Sequence, residues 1–126
     1  MAAEQILVVE DNDKSMKLFR DVLQAKGYRI LEAITAGLGV DLATEHLPNL
    51  VLMDIQLPDM DGVEALRRLR KEKLTASIPV LALTAQAMLG DRERFLAAGF
   101  DGYLAKPVDV IELIKMVEYH CDGRGR

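Results

Sequence analysis

Leu50-Val51-Leu52-Met53 is a run of four apolar residues that stops at a carboxylate, Asp54. Pro48-Asn49 bounds it on one side and Pro58-Asp59 on the other. A short uninterrupted run of this kind predicts a strand buried on both faces. Ile6-Leu7-Val8-Val9, closing on Glu10-Asp11, has the same signature, as does the segment from Ile78 to Leu83, which ends at Thr84-Ala85. Gly102-Tyr103-Leu104-Ala105 predicts a shorter strand leading into Lys106-Pro107. Tyr28 to Ala33 is also β-like, but Arg29 and Glu32 interrupt it, which predicts an edge strand.

Between these runs the apolar spacing becomes helical. Met16, Phe19, Val22 and Leu23 predict a first helix, with Asn12 or Asp13 as its cap and Gly27 as its left-handed stop. Gly37 to Glu45 predicts a second, with Leu38, Leu42 and Ala43 on one side and Pro48 ending it. Val63, Leu66 and Leu69 predict a third after the polar turn 58–62. Arg67, Arg68, Arg70 and Lys71 between them read as a solvated helix face rather than a docking patch. Leu89 to Ala98 predicts a fourth helix, with Phe95 inward and Gly99 closing it. In the last helix, Asp109 and Glu112 suggest a capping box, and Ile111, Ile114 and Val117 an apolar side.

Strand and helix thus alternate five times. That pattern predicts an α/β fold: a parallel sheet with right-handed crossovers and helices on both faces. At 126 residues the chain suits one domain with a core large enough to need no disulfide or structural metal. The expected domain is 1–126, its core about 5–119, with a short flexible tail at 122–126.

Composition narrows the classes. Half of the residues are hydrophobic and 29% are charged, as in an ordinary globular protein. A net charge of −4 argues against nucleic acid as a main partner. The single cysteine, Cys121, excludes an intrachain disulfide, has no motif around it and fits a reducing cytoplasm. No apolar run approaches transmembrane length, and residues 1–5 do not open a secretion signal, so no membrane partner is expected.

The chemistry lies in how the strands end. Parallel strands finish at one edge of a sheet, where open α/β folds bind ligands. Four of the five runs end there in a polar or ionisable group: Glu10 and Asp11, Asp54, Thr84, and Lys106. Alone, Asp11 reads as a helix cap, Asp54 as a turn former, Thr84 as a turn hydroxyl and Lys106 as a surface charge. Together they select a chemistry. Three crowded carboxylates must take up protons or be neutralised by a cation. An all-oxygen set without His or Cys favours a hard ion, Mg²⁺ above Ca²⁺, which keeps positions for phosphate oxygens. Lys106 then offers a second positive charge and Thr84 a hydroxyl for a phosphoryl group. Asp54 is the available nucleophile, and its attack on phosphorus gives an acyl phosphate.

This constellation resembles the receiver domain of two-component response regulators. The residues that carry the resemblance are Glu10-Asp11, Asp54 within Leu-Met-Asp-Ile-Gln-Leu-Pro, Thr84-Ala85 and Lys106-Pro107, in an order and spacing similar to that family from about Gln5 to Tyr119. Within the family, Val9 to Asn12 followed by Met16 to Phe19 is similar to a stand-alone cell-cycle regulator. The segment Leu83 to Met88 with Gly90 to Glu93 is similar both to that regulator and to the receivers of hybrid histidine kinases.

The resemblance implies a flavodoxin-like sheet of order 2-1-3-4-5. It makes Asp54 the phosphoacceptor, Asp11 and Asp54 metal ligands, Glu10 a ligand through water, and the backbone carbonyl of Gln56 the third protein ligand. The cofactor is Mg²⁺, with Mn²⁺ or Ca²⁺ substituting. Thr84 and Lys106 would contact the phosphoryl group, Tyr103 would turn inward on switching, and Ala85 and Pro107 would support them. The Lys106–Pro107 bond is expected to be cis and to orient the lysine. Gln56 and Gln86 occupy positions that tune dephosphorylation. The donor would be a histidine kinase or phosphotransfer protein. The downstream protein partner would bind the face formed by the last two helices and the last strand. Such a receiver accepts a phosphoryl group and slowly hydrolyses it, without being a multiple-turnover enzyme.

Three alternatives compete. A flavin- or nucleotide-binding protein of this topology needs a phosphate loop rich in Gly, Ser or Thr, whereas Glu10-Asp11-Asn12-Asp13 would repel phosphate. An aspartyl-phosphate phosphatase resembles Asp-x-Asp after its first strand, whereas Asp54-x-Gln56 lies on the third and lacks the second carboxylate. A receiver excised from a hybrid kinase would share every residue above. The start at Met1 and the short tail favour a single-domain regulator without a DNA-binding domain.

Overall fold

In the computed structural model, which describes residues 3–85 and 90–121, strand and helix alternate along the chain. The elements are β1 (Gln5–Val9), α1 (Asp13–Ala25), β2 (Arg29–Ala33), α2 (Ala36–His46), β3 (Leu50–Asp54), α3 (Gly62–Lys71), β4 (Val80–Thr84), α4 (Asp91–Ala98), β5 (Gly102–Ala105) and α5 (Val110–Cys121). All strand pairs are parallel, in the order β2-β1-β3-β4-β5. The more polar β2 lies at an edge, as its pattern predicts, and its exposed Glu32 pairs with Arg20 at 3.1 Å.

Alternation along each strand builds two cores. Leu7, Val9, Val51, Met53, Val80 and Ala82 face one side, against Ala43 of α2, Leu66 and Leu69 of α3, and Phe95 of α4. Ile6, Val8, Leu50, Leu52, Leu81, Leu83 and Leu104 face the other, against Phe19 and Leu23 of α1 and Leu113 and Val117 of α5. Leu50 to Met53 are wholly buried, which is why this strand reads as one continuous apolar run. Asp54 continues the side of Leu50 and Leu52, because side chains alternate with a period of two.

Local signals account for the helix ends. Asn12 caps α1 by accepting from Ser15 N at 2.9 Å, and Gly27 follows it at φ 93°. Asp109 Oδ1 accepts from Ile111 N and Glu112 N at the start of α5. Gly99 closes α4 at φ 111°. Leu89, the predicted start of α4, and the tail at 122–126 lie outside the described residues.

Two predicted helix faces are corrected. In α2 the side against the sheet is Ala36, Gly39 and Ala43, while Leu38 is exposed. Ala43 is buried and Leu42 packs half-buried against the same core, as predicted, but the closest contact falls at Gly39, where a Cβ would lie 2.7 Å from Val9. In α5 the buried arc is Leu113, Val117, His120 and Cys121. Ile111, about 200° around the helix from Leu113, is exposed, and Ile114 is half-buried.

Candidate functional site

Register brings the strand ends together. Val9 pairs with Met53, so Glu10 and Asp54 follow side by side. Asp54 pairs with Leu83 and Thr84 with Ala105, so Thr84 and Lys106 come next across the rim. Lys106 N donates to Thr84 O at 2.7 Å, which ties the start of the last loop to the end of β4. The Lys106–Pro107 peptide bond is cis.

The lysine side chain reaches back across the sheet. Its Nζ lies 3.0 Å from Asp54 Oδ2 and 2.5 Å from Glu10 Oε1. Glu10 is wholly buried and Asp54 almost so, while Asp11 is exposed. One carboxylate oxygen from each of Glu10, Asp11 and Asp54 lies within 4.8 Å of the other two. Asp54 Oδ1 accepts from Gln56 N at 2.9 Å, and Glu10 Oε2 from Asn12 N at 3.1 Å. Glu10 Oε1 has the Lys106 ammonium as its ion-pair partner.

These contacts set the electrostatics. Burial and the adjacent Asp54 carboxylate push the Glu10 carboxyl above its ordinary range, against the pull of Lys106. Burial disfavours the charged form of Lys106, but Glu10 and Asp54 outweigh it and hold the ammonium above its ordinary range. A cluster of three carboxylates that brings only oxygens, open on the exposed Asp11 side, fits a hard divalent cation.

The loop after β3 presses on the same centre. A Cβ on Gly62 would lie 2.7 Å from Asp54 O and 2.9 Å from Ile55 Cα, so only glycine fits there. The turn residues Asp59, Asp61 and Gly62 announce a loop in the sequence, but nothing local announces this close approach. Gln56 is exposed beside Asp54. Thr84 is buried at the end of β4, and Ala85 and Pro107 are exposed at the rim. Tyr103 is half-buried on the opposite side of β5, its ring 5.9 Å from Phe95. Gln86 lies outside the described residues.

The basic cluster of α3 is not one solvated face. Arg67 and Arg68 are exposed and pair with Glu64 at 2.7 and 3.1 Å. Arg70 instead forks inward. It donates to Ala76 O at 3.1 Å, Ile78 O at 2.6 Å, Gly99 O at 3.1 Å and Asp101 Oδ2 at 2.9 Å. Asp101 Oδ2 also accepts from Val80 N at 2.8 Å.

Known proteins share this chain's sequence pattern and fold. Residues 6–118 match the profile of the response regulator receiver domain. The polar-differentiation response regulator DivK of Brucella ovis is 42% identical over 115 residues, covering 91% of this chain and 94% of that protein. A crystal structure of the receiver domain of a sensor histidine kinase from Pseudomonas aeruginosa, described as having a magnesium ion coordinated in its active site cleft, superposes with a TM-score of 0.88 at 36% identity, over 96% of this chain and 99% of that one. A CheY-like receiver domain protein from Methanospirillum hungatei superposes with a TM-score of 0.86 at 32% identity, over 96% and 95% of the two chains. In the described residues no helix is long and apolar enough to cross a membrane. With its doubly wound sheet, its acidic rim and this breadth of likeness, the chain belongs to the response regulator receiver domain family of two-component signalling.

Proposed function

We propose that the chain is a single receiver module, spanning 1–126, in which Asp54 accepts a phosphoryl group from a phosphohistidine on a histidine kinase or phosphotransfer protein in the cytoplasm. The N–P bond of the donor breaks, an O–P bond to the Asp54 carboxylate forms, and the imidazole leaves with its electron pair. Asp11, Asp54 and the Gln56 carbonyl would hold Mg²⁺ directly, and Glu10 through water. When bound, such an ion would neutralise the clustered acids and offer positions to phosphoryl oxygens. The carrying observation is that Lys106 spans Glu10 and Asp54, which puts a fixed positive charge against the carboxylate that reacts.

Each remaining residue has a separate part. The Gln56 N–H holds Asp54 Oδ1 and fixes the orientation of the carboxylate. Lys106 and Thr84 contact the transferred group. To take the module from mostly off to mostly on, those contacts must favour the active state by roughly 3–5 kcal/mol. Charge-assisted hydrogen bonds of about 1.5–3 kcal/mol each supply that. The output is a change in the protein bound, through the groove of about 930 Å³ between α4, β5 and α5, where Leu96, Tyr103 and Tyr119 line the wall. Gln56 and Gln86 tune hydrolysis of the acyl phosphate, which is slow, so the module is not a multiple-turnover enzyme.

Incubation with Mg²⁺ and acetyl phosphate, followed by intact-mass analysis, tests this. The parent gains one phosphoryl mass and Asp54→Asn gains none. A gain that survives the substitution, or no gain from any donor, overturns the reading. A phosphorylated Thr84→Ala variant that binds its partner like the parent overturns the switch. The likeness to a receiver of a sensor histidine kinase supports a second reading, in which the same Asp54 chemistry serves a relay within a hybrid kinase. Onward transfer to a phosphotransfer histidine distinguishes it.

A further inference from the structure

The loop between β3 and α3 is a small closed hairpin. Gln56 and Asp61 form an isolated antiparallel bridge, and Gly62 N donates to Ile55 O at 2.9 Å. The base of the hairpin is fixed by Gly62, which has room for no side chain over Asp54 O. Its tip is fixed by another element. Asp59 Oδ1 accepts from Ala36 N and Asp59 Oδ2 from Gly37 N, each at 2.9 Å, in the first turn of α2. Those two N–H groups hold the Asp59 carboxyl below its ordinary range. The side chain is exposed, so the carboxylate acts through these bonds rather than through packing. The helix it grips is itself immobilised against β1, where Gly39 leaves no space over Val9, the residue before Glu10.

Gln56 stands between the two anchors, two residues from Asp54 and three from Asp59. Its N–H orients Asp54 Oδ1. We infer that Asp59 is a positioning residue for the metal site: its double bond to the α2 N-terminus holds the hairpin so that the Gln56 carbonyl and the Asp54 carboxylate face one point. This rests on the proposed function, in which that carbonyl is a metal ligand. Mg²⁺ tolerates little departure from octahedral geometry, so a carbonyl freed at one end costs affinity. In this geometry each carboxylate oxygen takes one of the two N–H groups. An asparagine can accept only one of them, and its NH₂ opposes the other.

Magnesium titration by calorimetry on four proteins tests the inference: the parent, Asp59→Ala, Asp59→Asn and Thr35→Ala. The last removes a capping bond from the same helix, Leu38 N to Thr35 Oγ1 at 3.1 Å, and leaves the hairpin tip bonded. The expected result is a loss of about threefold to tenfold in affinity for Asp59→Ala, at or below the low end for partners that touch a ligand. Asp59→Asn should lie between Asp59→Ala and the parent, and Thr35→Ala should match the parent. Because coupling is reciprocal, magnesium should also slow amide exchange at Ala36 and Gly37 in the parent and not at Gly37 in Asp59→Ala. Equal affinity of the parent and Asp59→Ala overturns the inference while leaving the metal site standing. A Thr35→Ala variant as weak as Asp59→Ala overturns it too, since general loosening of α2 would then suffice. A parent that binds no magnesium overturns the site reading, and the inference falls with it.

Discussion

Lys106 and Glu10 form a 2.5 Å ion pair in which the carboxylate is wholly buried and the lysine side chain is one-fifth exposed. The same ammonium lies 3.0 Å from Asp54. It is the internal counter-ion of a rim that otherwise crowds negative charge. Replacing Lys106 by Met should destabilise the metal-free protein by about 2 kcal/mol, below the ~3–5 kcal/mol of a fully buried pair. Added magnesium should recover more stability in the variant than in the parent, because it replaces the lost charge. Urea unfolding with and without chelator reads both quantities. A variant as stable as the parent in chelator would remove the counter-ion role.

Gly62 meets the backbone of Asp54 and Ile55, which cannot move aside as a flexible side chain can. Gly62→Ala should cost about 1–3 kcal/mol of stability by overpacking and should also weaken magnesium binding. Gly27 is the comparison. It has φ 93° but no atom within 4 Å of an added Cβ. Gly27→Ala should cost about 1–2 kcal/mol through left-handed strain alone, with metal affinity unchanged.

Arg70 joins the end of α3, the segment before β4 and the turn before β5 through a single guanidinium. Arg70→Ala should lower stability by about 2–3 kcal/mol, since it leaves several carbonyls and Asp101 without their donor. Arg70→Lys should recover little, because an ammonium cannot reproduce the fork. The rate of phosphorylation by acetyl phosphate should not change, as this network lies at the opposite end of the sheet from Asp54. Paired thermal melts and intact-mass time courses check the two statements.

Glu64 provides the pH test. Hydrogen bonds from Arg67 and Arg68 lower its carboxyl from 4.5 to about 2. Its folded value lies below its unfolded one, so its ionised form favours the fold above about 4.5, the ordinary value for such a carboxyl. That contribution is lost as pH falls from there toward 2. The carboxylate is partly exposed and its two arginine partners are exposed, so the shift should shrink toward the ordinary value in high salt. Carbon-detected NMR titration of Glu64 at low and high ionic strength measures it. A midpoint near 4.5 at low salt would mean that the two arginines do not hold it.

The strands were the most legible part of the sequence. Buried parallel strands are apolar at every position, so β1 and β3 stand out as runs, and each run ends at its charged residue. The edge position of β2 was legible from Arg29 and Glu32 for the converse reason. Helix faces were less so. Leu38 and Ile111 read as inward because they are large and apolar, yet Leu38 is exposed while the closest approach of α2 to β1 falls at Gly39, where a Cβ would meet Val9. Arg70 reads as outward with its neighbours, because its carbonyl partners carry no signal in a sequence.

The order of residue types along the chain was enough to determine that acids, a hydroxyl and a lysine collect at one sheet edge, since parallel strands share a direction and four of the five runs end in such a group. Tertiary structure decided the rest. Lys106 meets Glu10 and Asp54 only because the strand order sets β1 beside β3 and brings β5 within reach across β4. Asp59 grips α2 only because the β3–α3 hairpin folds over that helix. Spacing along a chain reports neighbours within a few residues, whereas contacts between residues 23 and 52 positions apart depend on how the elements pack.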